Sequence, residues 1–573
     1  MKDEISVDAL KKRIECAQGE ESCDLLFVNG RVVSTFTGEV LEVPVGVSGG
    51  RICAVGGGKL KAKKTVDLDG AYLAPAFTDP HIHVESSMLT PEGFAEAVVP
   101  RGTGATVSDP HEIVNVLGMK GYEYIKGAAA GLPLDIFFTI PSCVPATHME
   151  TSGAELDAAA TAGALADHQE ARALSEMMNF PGVITGLDDV LGKIAAARVA
   201  DRPIDGHSPG LVGDGLNAYL NAGIFSDHEC FEAKEAVEKL RRGVWVFMRE
   251  GSAAKNLVDL LPAVTKENLC RLCIASDDRH PDDLVNQGHL DHSLRVAVQA
   301  GLDPLSALRM VTLNPAQAYG FRDRGGIAPS FMADLVVLED LREFKVKSVY
   351  HGGRLVAEHG SLLEPVSRKP AEDTFSSVSL PGDLSERFRA YPERGRVRII
   401  GVEPEQLLTG RLEGEASDAG PGKIQFAAVV ERHRGTGNVG LGFVEGFGLK
   451  SGAIASTVSH DSHNLVVVGV SPEDMAAAAG AVGRMGGGLA VVRDSKVLAS
   501  LPLEVAGLMS RRGSREVAEQ LGRVKRAASE CGCVLPAPFM TLSFMALPVI
   551  PALKLTDMGL VDVDKFEIVP LEM

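Results

Sequence analysis

Apolar and polar positions follow three regimes along the chain. Across residues 24–73, short β-like runs (25–28, 43–47 and 52–55) are broken by glycines. This predicts a small β unit with hairpin turns at Asn29-Gly30 and Gly49-Gly50. A polar stretch at 8–16 precedes it and reads as helix. The broken β pattern returns at 333–338 and 349–356, predicting one domain built from both flanks of another. Between them, apolar strand-like runs at 105–107, 136–140, 182–185, 203–205, 244–248 and 272–275 alternate with helical stretches that include 154–168, 232–242 and 304–312. Repeated βα units over this length predict an α/β fold, a (β/α)8 barrel with chemistry at the C-terminal strand ends. Past a polar stretch at 369–383, β-like runs at 465–470 and 489–493 flank an Ala-rich helix at 473–482. Gly486-Gly487-Gly488 follows that helix and precedes a strand, so it reads as a turn and not a phosphate loop. The expected division is 1–74 and 327–390 for the β domain, 75–326 for the barrel, and 391–573 for an added α/β domain.

Composition narrows the function. With 573 residues and 45% apolar content the chain is globular and multidomain, and a net charge of −19 excludes a broad nucleic-acid footprint. No run of about eighteen apolar residues suggests a membrane span. The charged start, Met1-Lys2-Asp3-Glu4, is unlike a signal peptide. Nine scattered cysteines suit a reducing compartment, so a cytoplasmic location is expected. Cys270 and Cys273 sit in an apolar run and read as buried core thiols; neither this pair nor Cys531/Cys533 has a second pair at zinc-ribbon spacing.

The chemistry begins at Asp79-Pro80-His81-Ile82-His83. In a strand, residues two apart point the same way, so His81 and His83 can converge on one ion. Glu176, His207, His228 and Asp277 each lie on or after a later apolar run and complete a mixed imidazole–carboxylate set. Such a set suits zinc, manganese or iron better than magnesium or calcium. The His-x-Glu and Pro-Cys-x-x-Cys signature of the cytidine-deaminase type is absent.

Further stretches carry a family resemblance: His83-Val84-Glu85-Ser86-Ser87-Met88-Leu89-Thr90-Pro91, Asp109-Pro110-His111-Glu112-Ile113-Val114-Asn115, Pro141-Ser142-Cys143-Val144-Pro145, Asp205-Gly206-His207-Ser208-Pro209-Gly210, Ser276-Asp277-Asp278-Arg279-His280-Pro281, Ser459-His460-Asp461-Ser462-His463-Asn464 and Pro538-Phe539-Met540-Thr541. Over nearly its whole length the chain resembles the adenine deaminases of the amidohydrolase superfamily. The resemblance implies two divalent transition-metal ions (Mn, Fe or Zn) at His81, His83, Glu176, His207, His228 and Asp277. Glu176 takes the place of the carboxylated lysine that bridges the metals in many relatives. A metal-activated hydroxide would attack C6 of adenine, giving hypoxanthine and ammonia, with Asp277 moving the proton and Asp278 its rival by adjacency. Protonation of ring N1 needs an acid, with Glu250 the first candidate and Glu229 the second. Residues expected to border the purine are Glu85, Ser86, Asp109, His111, Glu112, Arg249, Asp278, His460 and His463. For Asp109, His111 and Glu112, a further ion or an ordered loop are alternatives. For His460 and His463 the alternatives are a loop over the barrel mouth, a separate metal site or a structural turn. The partners implied are a small purine base and further copies of the chain, with no nucleic acid and no membrane. The competing functions are a cyclic-amide hydrolase of the dihydroorotase or allantoinase kind and a non-catalytic assembly protein.

Overall fold

The computed structural model describes residues 6–368, 377–402, 404 and 408–573. Met1–Glu4 and the first half of the polar stretch 369–383 therefore lie outside the described residues. Among the described residues no helix is long and apolar enough to cross a membrane.

The middle of the chain is organised around eight short parallel strands: β1 (Phe77–Ile82), β2 (Thr103–Ser108), β3 (Asp135–Phe138), β4 (Leu174–Met177), β5 (Ile204–Gly206), β6 (Ser226–Asp227), β7 (Trp245–Arg249) and β8 (Leu272–Ala275). Ladders join β1–β2–β3, β4–β5 and β6–β7–β8. Single parallel bridges, Ile140 to Leu174, Ile204 to Ile224 and Asp277 to Ile82, lead from each group to the next and back to β1. All but β3 are buried along their whole length. Strands covered on both faces read as continuous apolar runs rather than alternating ones, as 244–248 and 272–275 do. Asp79 fastens the return to β1. Its carboxylate accepts from the Ser276 hydroxyl and faces His289 Nε2 at 3.0 Å, which ties the end of β8 to β1.

One strand-scale expectation is corrected, and one strand had no signal in the sequence. Residues 182–185 belong to a helix, Phe180–Thr185, because the Asn179 side chain caps Gly182 N, Pro181 sits in the first turn and Gly186 closes the end at φ +78°. The strand of that unit is β4, four residues earlier. β6 has only two residues, both polar, too little pattern to read as a strand.

Strands from both flanks share one seven-stranded sheet, where Tyr72–Pro75 pairs antiparallel with Leu335–Leu338, whereas the runs at 25–28, 43–47 and 52–55 lie in a separate four-stranded sheet. Chain entry to and exit from the strand ring therefore lie side by side. Gly49-Gly50 makes the expected hairpin between Val45–Ser48 and Arg51–Val55. Asn29-Gly30 does not: Ser22–Val28 and Arg31–Ser34 join different sheets, so this turn is a crossover. Cys273 is buried, whereas Cys270, in the turn before β8, is exposed, correcting the reading of a buried pair.

The C-terminal region holds an eight-stranded sheet with the helix Pro472–Arg484 packed on it. The helix Ser514–Glu530 packs against Pro281–Asn286 of the middle section, where Lys525 pairs with Asp282 at 2.7 Å. The loop 457–464 is tied to the segment after β3 by Asn464 Nδ2 donating to Thr151 O at 2.7 Å, and within the C-terminal region by His460 N donating to Ser543 Oγ.

One buried ion pair supports the loops after β5 and β6. Lys239 is 0% exposed and its ammonium donates to Asp227, to Glu235 at 2.6 Å and to Ser208 O at 2.7 Å. Burial opposes charge on Asp227, but Lys239 outweighs it and holds the carboxyl well below the usual range. Lys239→Met leaves that carboxylate buried and unpaired, and a loss of about 3–5 kcal/mol is expected. Thermal unfolding at pH 7 measures it. Because the Asp227 pKa is depressed, its contribution is present above about pH 4 and fades as pH falls through the folded value. The wild-type advantage over Lys239→Met should shrink in acid accordingly.

Candidate metal centre at the strand ends

Six side chains that the sequence scatters over about two hundred positions converge at the C-terminal ends of the ring, all at most 5% exposed. His81 lies on β1 and His83 one residue past it; Glu176 is on β4. His207 and His228 directly follow β5 and β6, and Asp277 lies two residues past β8. Asp277 is held in the left-handed region at φ +54°, with its N–H donating to His81 O at 3.0 Å.

Each histidine of the β1 pair has its distal nitrogen committed. His81 Nδ1 lies 2.9 Å from Asp205 Oδ2, and His83 Nδ1 lies 3.0 Å from Asp109 O. A carbonyl only accepts, so the His83 proton sits on Nδ1 and Nε2 offers a lone pair. The Asp205 contact at His81 Nδ1 likewise leaves Nε2 as the free ring nitrogen. Carboxylate- or carbonyl-backed imidazole is the usual outer support of a metal ligand. His83 Nε2 then faces Glu176 Oε1 at 3.1 Å and Asp277 Oδ1 at 3.2 Å, and His81 Nε2 faces the same oxygens at 3.9 and 3.6 Å. The other Glu176 oxygen, Oε2, faces His207 Nδ1 at 2.7 Å and His228 Nε2 at 3.2 Å. Glu176 thus spans two groups of nitrogens. Several spacings exceed a good hydrogen bond, and His81 Nε2, buried, has no hydrogen-bond partner among the described residues. Nitrogen and oxygen donors about 3–4 Å apart around a common point fit bonds of about 2.0–2.2 Å to a cation. The residues present therefore fit divalent metal ions.

The electrostatics agree. Burial disfavours charge on His81, yet Asp205, Asp277 and Glu176 outweigh it and hold its pKa well above the ordinary value. Burial likewise opposes ionisation of Glu176, but His228, His207 and His83 hold it well below the carboxylate range. The pocket is built for compensated charge, and a cation serves that need while leaving the imidazoles neutral.

Asp205, buried behind His81, is a supporting residue that the sequence motif alone does not single out. Its signal was present: it lies two residues before His207, on the same face of β5. Asp205→Asn should weaken metal retention by about 10–100-fold without unfolding the chain. Dialysis against graded chelator, followed by metal analysis, reads this out.

The remaining candidates fall into three settings. Arg249 bridges Glu229 and Asp277, donating to Asp277 Oδ2 at 2.8 Å. Glu229 is close to the centre, with Oε1 3.7 Å from His207 Nδ1. Its two oxygens both accept from Arg249, so its lone pairs are engaged away from a substrate. Glu250 is buried but set elsewhere: its carboxylate stands 3.9 Å from His292 and senses Arg279 and Lys255. The geometry therefore favours neither as the ring acid. Burial raises the Glu250 pKa, but proximity is missing. Glu85, Ser86, Asp109, His111, Glu112, Asp278, His460 and His463 form an adjoining polar group. Ser86 Oγ meets Glu112 Oε1 at 2.6 Å and also contacts Asp278, while Asp109 supports His111 Nδ1 at 3.0 Å. A cavity of about 550 Å³ opens beside β4, lined by Ser142, Thr147, Glu150, Met177, Asn179 and Arg434 among others, large enough for a heterocyclic base.

Parallel strands bearing a convergent histidine–carboxylate set at their C-terminal ends define the metal-dependent hydrolase class of α/β proteins. Residues 72–356 match the amidohydrolase family, and residues 409–567 match the adenine deaminase C-terminal domain. Relatives named adenine deaminase are 47% identical in Desulfatibacillum aliphaticivorans, covering 97% of this chain and 99% of that one, and 41% identical in Kosmotoga olearia, covering 96% of each. In Carboxydothermus hydrogenoformans a relative named adenine deaminase 2 is 46% identical, covering 98% and 100%. The chain belongs to the adenine deaminase family of amidohydrolases. Among solved structures, a β-aspartyl dipeptidase from Fervidobacterium islandicum AW-1 superposes with a TM-score of 0.47 at 16% identity, over 60% of this chain and 98% of that one.

Proposed function

We propose that this chain converts adenine and water to hypoxanthine and ammonia, as a cytoplasmic (β/α)8 metallohydrolase holding two divalent transition-metal ions, manganese, iron or zinc. The observation that carries this reading is Glu176, whose two oxygens face two separate nitrogen groups in a chain similar over its full length to proteins named adenine deaminase. Residues 75–326 form the barrel in this reading, 1–74 and 327–390 the β domain, and 391–573 the added domain.

His81, His83 and Asp277 with Oε1 of Glu176 would hold one ion, and His207 and His228 with Oε2 the other. Such ions supply Lewis acidity that brings water towards a pKa of about 7. Asp277 is the proton carrier: against the burial that opposes its charge, His81, His83 and Arg249 keep it ionised, and its Oδ1 faces the Nε2 atoms of both His81 and His83. It takes the proton of the water whose oxygen bonds to C6 and returns it to the amine as the C6–N bond breaks. Asp278 is the weaker choice, since its Oδ1 is engaged by Ser86 on the side of the adjoining polar group. Glu85, Ser86 and Asp278 border the base in this reading. Homo-oligomer formation belongs to the same proposal, and sedimentation velocity tests it.

The deciding assay offers metal-supplemented protein adenine, adenosine and dihydropyrimidines, following ammonia and absorbance together. Conversion of adenine in preference to the others is expected. Turnover of a cyclic amide alone would instead make the chain a dihydroorotase- or allantoinase-like enzyme, and none at all would support an assembly role.

A further inference from the structure

We propose that a third divalent cation binds beside the two-ion centre, held by His111, Glu112 and His460, and that it clamps the C-terminal region to the barrel mouth. This goes beyond the reaction proposed above and does not depend on it.

The donors come from two distant parts of the chain. His111 and Glu112 open the helix His111–Leu117 that follows β2, whereas His460 lies on the loop before the strand Leu465–Gly469. All three are buried, at 3%, 0% and 3% exposure. Their donor atoms lie within 4.8 Å of one another. The contacts in this group are longer than good hydrogen bonds: His460 Nδ1 stands 3.5 Å from Glu112 Oε1, and the neighbouring Asp461 Oδ1 stands 3.7 Å from His460 Nδ1 and 3.5 Å from His111 Nε2. Among the described residues, His111 Nε2, His460 Nε2 and Glu112 Oε2 have no hydrogen-bond partner. Buried polar atoms in that condition are rare and call for an ion or water. Tetrahedral bonds of about 2.0–2.2 Å put neighbouring donors about 3.3–3.6 Å apart, and His460 Nδ1 and Glu112 Oε1 stand 3.5 Å apart.

The surroundings are arranged as outer supports. Asp109 Oδ2 lies 3.0 Å from His111 Nδ1, which fixes the proton there and presents Nε2 as a lone pair. The His460 ring stacks on Phe544 with centroids 4.6 Å apart and planes at 18°. His463 plays a different part. Its Nδ1 accepts from Ser459 N at 3.1 Å, so the proton of the neutral ring is on Nε2, 3.8 Å from Glu112 Oε2. It thus faces the carboxylate as a donor and is no ligand.

Charge balance points the same way. The Ser86 hydroxyl has one proton yet contacts both Glu112 and Asp278, and Glu85 and Asp461 are buried close by. A cation between Glu112 and the two imidazoles offsets this concentration of carboxylates.

The test is metal counting on the full-length chain, stripped with chelator and refilled with Zn2+. Three ions per chain are expected for wild type and two for His460→Ala and for Glu112→Gln. A His81→Ala/His83→Ala variant should lose ions from the other centre and keep this one, so failure of the two-ion reading and failure of this proposal give different counts. Anomalous scattering at the zinc edge from wild-type crystals should show a separate peak among His111, Glu112 and His460, whether or not the variants fold. A wild-type count of two that His460→Ala leaves unchanged, with no such peak, overturns the proposal. So does weakened adenine binding in Glu112→Gln at an unchanged metal count, which would make the cluster a wall of the purine pocket.

Discussion

Glu176→Gln is expected to abolish turnover and to lower metal content below two ions per chain. Glu176 is the one side chain whose oxygens face both nitrogen groups, His83 on one side and His207 and His228 on the other. An amide keeps the size of the carboxylate but loses its charge and half its acceptor capacity. Its loss also removes the carboxylate that these histidines face, leaving a buried cluster poor in negative charge. Outer-shell changes around metals cost about 10–100-fold in affinity, and loss of a bridging ligand should exceed that. Metal analysis and ammonia release on the same preparation measure both effects. A Glu176→Gln protein holding two ions with ordinary turnover would remove Glu176 from the centre.

The second large effect is expected at Asp277. Asp277→Asn should reduce kcat by about 10²–10⁴-fold, the usual worth of a positioned proton carrier. Because Asn keeps an oxygen towards His81 and His83, metal content should fall far less than in Glu176→Gln. The separation matters: a parallel fall in metal content and kcat would make Asp277 only a ligand, whereas near-normal turnover with metal bound would leave it without a role in proton transfer. Arg249 sharpens the expectation, since its bond to Oδ2 turns Oδ1 towards the histidines.

Much of this site was legible in the one-dimensional pattern, for a local reason. His81 and His83 sit two apart at the end of a strand, and His207 and Asp277 each follow an apolar run. A parallel strand must be apolar to be buried on both faces, and its C-terminal end is where its polar chemistry emerges. Where the local pattern was weak the reading failed. The β4 strand was displaced to 182–185, since Phe180–Thr185 is apolar too and periodicity cannot separate a short buried helix from a strand. The proton donor is hard to read from sequence for a different reason: side-chain direction and competing partners decide it, and the sequence does not show that Arg249 claims Glu229 or that Glu250 faces His292.

The opening motif and the spacing of later histidines thus determined, from sequence alone, a metal-binding α/β chain, and the density of family motifs determined its place among the adenine deaminases. Tertiary structure alone decided that one carboxylate spans both nitrogen groups, that Asp205 and Asp109 stand behind His81 and His111, and that His460 crosses from the C-terminal region to meet Glu112. Ligand types are written in the chain because strands and turns are local. Their mutual distances arise only when segments hundreds of residues apart close the ring and pack a second sheet against its mouth.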